Sequence, residues 1–338
     1  MNIEDVTVTD YHTGGEPFRI VTGGLPPIEG GTVLERRTYA QTTTAVDIVR
    51  QLLVNEPRGH ADMYGGFIVP ANDGGAHFGV LFWHKDGYST ACGHGTIALG
   101  TWAVETGLVP TDPDGTTEVV IDVPSGRVTA AVTCVSGAVQ HVSFRNVASY
   151  VIVRDVMVTT SRGPVFVDVS YGGALYASVH ADRLGLAVHA EHYTDLIALG
   201  REIKWALNDT EWAKHPSDAR LDGIYGTIIF DDLGQHLNGP HQRNVTVFAD
   251  GEVDRSPCGS GTSARLALLA DEGRIHADQH LQHVSIVGSE FSGRVVEDVT
   301  AEGRAAVVTE VSGAAYKTGT SVFTLDPRDP IGTGFVLR

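Results

Sequence analysis

Short runs in which apolar and polar positions alternate recur along the chain. Residues 117–123, 127–132, 151–153, 165–169, 244–248 and 305–309 all read this way and are rich in Val, Ile and Thr. A period of two with β-branched residues predicts strands that bury one face. Helical spacing is rarer, covering residues 42–53, 97–106, 190–207 and 263–271. The last places Leu266, Leu269 and Ala270 on one face and ends before Gly273, a C-cap residue. In 190–207, His192, Leu196, Leu199 and Ile203 form a stripe that asks only for packing on a sheet. Strand therefore dominates, and the 40 glycines mark tight turns between strands.

At 338 residues the chain is too long for one small core and predicts two domains. Its hydrophobic fraction of 42% and charged fraction of 19% are those of a soluble globular protein. No apolar run approaches the roughly 18 residues that span a bilayer. The first seven residues are acidic and lack a basic segment followed by an apolar stretch, so a cytoplasmic protein that engages no membrane is expected. A formal net charge of −17 without clustered Lys or Arg argues against a nucleic-acid partner.

Three cysteines, Cys92, Cys134 and Cys258, are too few and scattered for a disulfide scaffold, and no CxxC pair points to zinc. Cys134 lies in an alternating run and reads as a core thiol. The other two stand in matching phrases. Cys92-Gly93-His94-Gly95-Thr96 leads into an apolar helical run, and so does Cys258-Gly259-Ser260-Gly261-Thr262. The two cysteines are 166 residues apart (258 − 92), near half the chain, and strand-like sequence precedes each. A duplicated strand–turn–helix unit is the expectation, one copy per domain.

A thiol at a helix start meets unpaired backbone N–H groups and the positive end of the helix dipole, which bind an anion and favour the thiolate. Two such ends facing one cleft would hold a carboxylate with a sulfur on each side. Deprotonating an amino-acid Cα pushes charge into a carboxylate that is already negative, and oriented N–H donors supply the required electrostatic help. One thiolate could then act as base while the opposite thiol returns a proton, inverting the centre. The glycine phrase after Cys258 lacks the lysine of a P-loop and the spacing of a dinucleotide fingerprint. His94 beside Cys92 invites comparison with cysteine hydrolases and metal sites, but a hydrolase needs one thiol and no ligand spacing accompanies this histidine. Neither a metal nor an organic cofactor is expected.

Around these residues the chain resembles the proline racemase family, which is related in fold to diaminopimelate epimerase. The likeness extends to His12-Thr13-Gly14-Gly15-Glu16-Pro17, to residues 56–65, to Tyr171-Gly172-Gly173-Ala174-Leu175-Tyr176-Ala177 and to residues 325–330. It implies that Cys92 and Cys258 are the acid/base pair and that N–H groups of Gly93, His94, Gly259 and Ser260 hold the substrate carboxylate. It also implies that Asp254 receives the ring nitrogen, an ammonium that needs an anionic partner in a dry site. Asp62 and His60 could line the cleft, though a structural hydrogen-bonding role fits them as well.

The flanking text is similar to the trans-3-hydroxy-L-proline dehydratase branch, in which the second cysteine is typically threonine. Here that position is Cys258. A thiol can reprotonate the carbanion, so racemisation of proline or 2-epimerisation of 4-hydroxyproline is favoured, proline first; dehydration of 3-hydroxyproline is the alternative. The implied fold is mixed α/β, two pseudo-symmetric domains, each a curved, mostly antiparallel sheet around a central helix. Residues 1–148 plus 318–338 would form the first, carrying Cys92, and 149–317 the second, carrying Cys258. A final strand near 333–337 would return to the first domain. The resemblance also implies a homodimer acting on a small-molecule substrate.

Overall fold

The alternating segments fold as strands. The computed structural model describes residues 4–337, and among these eighteen strands accompany five α-helices. By contact the described chain divides into two units. Unit 1 holds the residues up to Thr90, Gly95–Val142 and those from Ala314 onward, and unit 2 holds Ala91–His94 and Ser143–Gly313. Cys92, expected with residues 1–148, thus groups by contact with unit 2. No helix among the described residues is long and apolar enough to cross a membrane.

Unit 1 opens with a hairpin of β1 (Val6–Thr13) and β2 (Glu16–Gly23), turned by Gly14 and Gly15 at positive φ. Helices α1 (Val33–Thr42) and α2 (Thr44–Val54) follow, then β3 (Gly65–Val69), β4 (Phe78–His84) and β5 (Gly87–Tyr88). Next come α3 (Gly93–Glu105), β6 (Thr116–Val123), β7 (Gly126–Val135) and β8 (Ala138–Arg145). Strand β3 pairs in parallel with β2 and antiparallel with β4, and β6 lies parallel to β4 and antiparallel to β7.

Helix α3 is buried along nearly its whole length, and its Gly100 permits a close approach to β7: a Cβ there would lie 2.8 Å from the Cβ of Ala130. Cys134 is buried in β7, as a core thiol should be. Helix α1 has no apolar periodicity and was not expected. A capping box holds it, with Thr32 Oγ1 accepting from the Glu35 N–H at 3.2 Å while the Glu35 carboxylate accepts from the Thr32 N–H at 3.1 Å.

Unit 2 runs β9 (Ser149–Thr160), β10 (Gly163–Tyr171), β11 (Leu175–His180), α4 (Tyr193–Asn208), β12 (Ile224–His236), β13 (Gly239–Phe248) and β14 (Glu252–Asp254). It continues with α5 (Gly259–Asp271), β15 (Leu281–Ser285), β16 (Glu290–Ala301) and β17 (Arg304–Gly313). The strand pairings close on themselves in the order β9, β10, β11, β12, β13, β15, β16, β17 and back to β9. Only β11–β12 and β13–β15 are parallel. Helix α5 packs against β9, β10, β11, β16 and β17. Its residues are buried on every side from Gly259 to Leu269, including Ser260, Thr262, Ser263 and Arg265. Its polar residues therefore face other parts of the fold rather than solvent, so the Leu266, Leu269 and Ala270 face is not set against a solvated one. Helix α4 is amphipathic and lies against β9, β12 and β13, with Leu196, Leu199 and Ile203 buried.

The fold is thus mixed α/β with a predominance of strand, and unit 2 is a curved sheet around a central helix, as expected. The strand that returns to unit 1 is β18 (Ala315–Phe323), antiparallel to β1. The expected strand near 333–337 does not form. Gly332 and Gly334 adopt φ of +60° and +97°, which breaks an extended run, and Phe335 makes only an isolated bridge to Glu56.

Candidate active site

Both cysteines terminate the same local arrangement. Strands β4 and β5 form a short antiparallel pair before Cys92, and β13 and β14 form one before Cys258. A 13-residue helix then starts immediately after each cysteine. The duplication read from the sequence is therefore structural as well.

All seven residues singled out, Cys92, Gly93, His94, Asp254, Cys258, Gly259 and Ser260, lie in unit 2 and all are buried. Gly93 and Gly259 bring the two helix starts together. A Cβ on Gly93 would stand 2.8 Å from the Ser260 nitrogen, and one on Gly259 would stand 3.2 Å from the His94 nitrogen. The first N–H groups of a helix have no partner within it, so the donors of two helix starts share one small region. That is an anion site by construction.

Each sulfur has a polar neighbour. Cys92 Sγ lies 3.4 Å from His94 Nδ1 and 3.6 Å from Nε2. His94 Nδ1 in turn lies 3.8 Å from Asp254 Oδ2. Asp254 is fixed by a turn of its own: its Oδ1 accepts from the Ser256 N–H at 2.8 Å and from the Ser256 hydroxyl at 2.7 Å. The Ser256 oxygen accepts from the Cys258 N–H at 3.1 Å. A continuous path of short contacts thus runs from Asp254 to both cysteine turns.

Cys258 itself is strained, a non-glycine residue at φ +63°, ψ +102°. Burial, with a further contribution from the Asp254 carboxylate, pushes its thiol far above the ordinary range, so the group rests protonated. Gly261 lets the sulfur sit over the first turn, since a Cβ there would come 2.9 Å from Sγ. Asn244 Nδ2 donates to the Pro257 carbonyl at 2.9 Å and steadies the turn from β13.

Tyr176, quoted above only as part of a glycine phrase, reaches this site from β11. Its hydroxyl lies 2.7 Å from Ser260 Oγ and 3.7 Å from Cys258 Sγ, and the ring is fully buried. The only sequence signal was its place in that glycine phrase. The Gly172 before it is required by packing, because a Cβ there would collide with the Ser260 carbonyl oxygen of α5. Asp62 and His60 belong to unit 1, where the Asp62 N–H donates to His60 Nδ1 at 3.2 Å.

A family model described as proline racemase matches residues 8–336. The trans-3-hydroxy-L-proline dehydratase of Colwellia psychrerythraea is 44% identical over 330 residues, covering 97% of this chain and 92% of the relative. The protein of the same name from Homo sapiens is 42% identical, covering 98% and 95%. Among solved structures, a hydroxyproline epimerase from Agrobacterium vitis with bound trans-4-hydroxy-L-proline superposes with a TM-score of 0.92 at 30% identity. The match covers 100% of this chain and 97% of that one.

Proposed function

The chain belongs to the proline racemase family, and on that premise we propose that it inverts Cα of a hydroxylated proline by means of Cys92 and Cys258. The observation that supports this most is the pairing: two thiols in one unit, each at the start of a buried helix, with the two helix starts in backbone contact. In the proposed step the Cys92 thiolate takes the Cα proton. The electron pair moves into the carboxylate, whose charge the N–H groups of Gly93, His94, Gly259 and Ser260 receive. The Cys258 thiol gives its proton to the opposite face and is left as thiolate, while Cys92 becomes the thiol; the reverse direction exchanges the roles. Asp254 accepts the ring ammonium. His94, between Cys92 and Asp254, lines the site and positions the Cys92 sulfur.

Proline was the sequence-based first choice. A hydroxylated ring is preferred because the two relatives and the epimerase structure reported above are named for hydroxyprolines. Those relatives also favour a second reading, dehydration of trans-3-hydroxy-L-proline. Its first step is the same. The Cα electron pair then forms the Cα–C3 double bond and expels the 3-hydroxyl, which takes the Cys258 proton and leaves as water; the cyclic enamine tautomerises to an imine.

Incubation with trans-4-hydroxy-L-proline, trans-3-hydroxy-L-proline and L-proline, followed by chiral chromatography and an imine assay, tests both. A Cα epimer of any of the three supports inversion. Imine from the 3-hydroxy compound without any epimer assigns the protein to dehydration, and no change in any of the three overturns both readings.

A further inference from the structure

Helix α5 carries a buried cation that no carboxylate touches among the described residues. Arg265, on the second turn of α5, is 1% exposed, and among the described residues no carboxylate pairs with it. Its hydrogen bonding is one contact, Nε to Gln242 Oε1 at 3.3 Å, and the guanidinium carbon stands 3.9 Å from the centre of the Phe230 ring. The ring face attracts the charge but satisfies no N–H. Glu272 and Asp168 act on it at a distance only, each being ion-paired elsewhere: Asp168 with Arg154 at 3.4 Å, and Glu272 with Arg154 at 2.5 Å and with Arg274 at 3.5 Å.

Two more donors share this pocket of the interior. Gln242 of β13 and His283 of β15 are register partners on parallel strands, so their side chains lie side by side on one face. Both residues are fully buried, and among the described residues Gln242 Nε2 and His283 Nε2 have no hydrogen-bond partner. The histidine tautomer follows from its other nitrogen. Thr262 Oγ1 lies 2.8 Å from His283 Nδ1 but 3.3 Å from the Pro257 carbonyl, which Asn244 already serves. With the Thr262 hydroxyl donating to Nδ1, Nε2 carries the ring proton and is a donor. Burial and the neighbouring Arg265 push the imidazole down to about 3, so it adds no charge of its own.

Three donor groups, one of them a permanent cation, thus share this region, and the Gln242 amide oxygen accepts from the cation's Nε. A buried charge left unpaired is strongly unfavourable. We propose that unit 2 binds one small monovalent anion of the chloride class at the Arg265 guanidinium, with Gln242 Nε2 and His283 Nε2 as its further ligands. The anion supplies a negative charge in direct contact and, through His283 and Thr262, braces the turn that carries Pro257 and Cys258. Nothing in this assignment depends on the reaction catalysed.

The test compares thermal unfolding of the full chain in sodium chloride and in sodium isethionate at equal ionic strength, with a bromide soak of crystals for anomalous scattering. Chloride is expected to raise Tm by about 3 °C or more over isethionate, and bromide to give a peak beside the Arg265 guanidinium. Gln242→Glu places a carboxylate where the amide touches Nε. This variant is expected to lose the chloride response and to melt higher than the unmodified protein in isethionate. Equal Tm values in the two salts, together with density for water and no bromide peak, would overturn the proposal. The soak stands even if the variant fails to fold.

Discussion

Gly93 and Gly259 touch backbone to backbone. A Cβ built on Gly93 would lie 2.5 Å from the Gly259 Cα, and one built on Gly259 would lie 2.6 Å from the Gly93 Cα. No side chain fits there without parting the two helix starts. Gly93→Ala and Gly259→Ala should each cost about 1–3 kcal/mol of stability through overpacking. Each should also lower turnover by roughly 100-fold, because the N–H donors no longer meet one carboxylate. Urea unfolding and steady-state rates read the two effects separately; wild-type turnover in either variant would mean that the contact has no part in the chemistry.

The Cys258 thiol gives a signature at alkaline pH. Its pKa is raised in the folded state above the ordinary 9.0, so the native protein keeps a proton that the unfolded chain has lost. Stability attributable to this group is intact below pH 9 and falls as pH rises, by about 1.4 kcal/mol per unit. Buried tyrosines contribute alike to the protein and its variant, so the comparison with Cys258→Ala isolates the thiol. Urea midpoints at pH 9, 10 and 11 should converge on those of the variant, and parallel curves would show that the thiol titrates normally.

His283 acts at the other end of the scale. Its imidazole is pushed down to about 3 by burial and by Arg265, against an ordinary 6.5. The unfolded chain takes up a proton below pH 6.5 while the native protein does not. Stability is therefore lost as pH falls from 6.5 toward 3, again by about 1.4 kcal/mol per unit at the steepest. His283→Gln should flatten this limb in a denaturation series from pH 7 to pH 4.

Tyr176 offers a subtler probe. Removing its hydroxyl leaves Ser260 Oγ without the 2.7 Å partner and takes away a polar atom 3.7 Å from Cys258 Sγ. Tyr176→Phe should cost about 1 kcal/mol of stability and lower kcat roughly tenfold, with KM changed little. A raised KM at constant kcat would instead assign the hydroxyl to substrate binding.

What the sequence disclosed was local. A cysteine followed by small residues and an apolar run can only precede a helix, so the placement of Cys92 and Cys258 was readable, as was the strand character of β6, β7, β10 and β13. Long-range relations were not. Nothing in the text links His94 to Asp254 or Tyr176 to Ser260, because those contacts arise from closure of the unit 2 sheet around α5. Helix α1 escaped notice because capping and three buried residues, Val33, Arg36 and Ala40, hold it rather than a stripe. The misplaced final strand came from reading residues 333–337 as extended while Gly332 and Gly334 turn the chain. Arg265 carried no signal of its own in the sequence, and only the sheet closing around α5 makes it a buried cation.

The central claim is that two thiols handle the Cα proton from opposite faces, and deuterium wash-in measures this directly. Proton NMR in D2O with trans-4-hydroxy-L-proline and trans-3-hydroxy-L-proline would follow the Cα signal for the unmodified protein, Cys92→Ser and Cys258→Ser. The account predicts deuterium at Cα with inversion in the unmodified protein, and loss of at least about 100-fold in rate for both variants. Undiminished exchange in either serine variant, or no exchange with either compound, would contradict it.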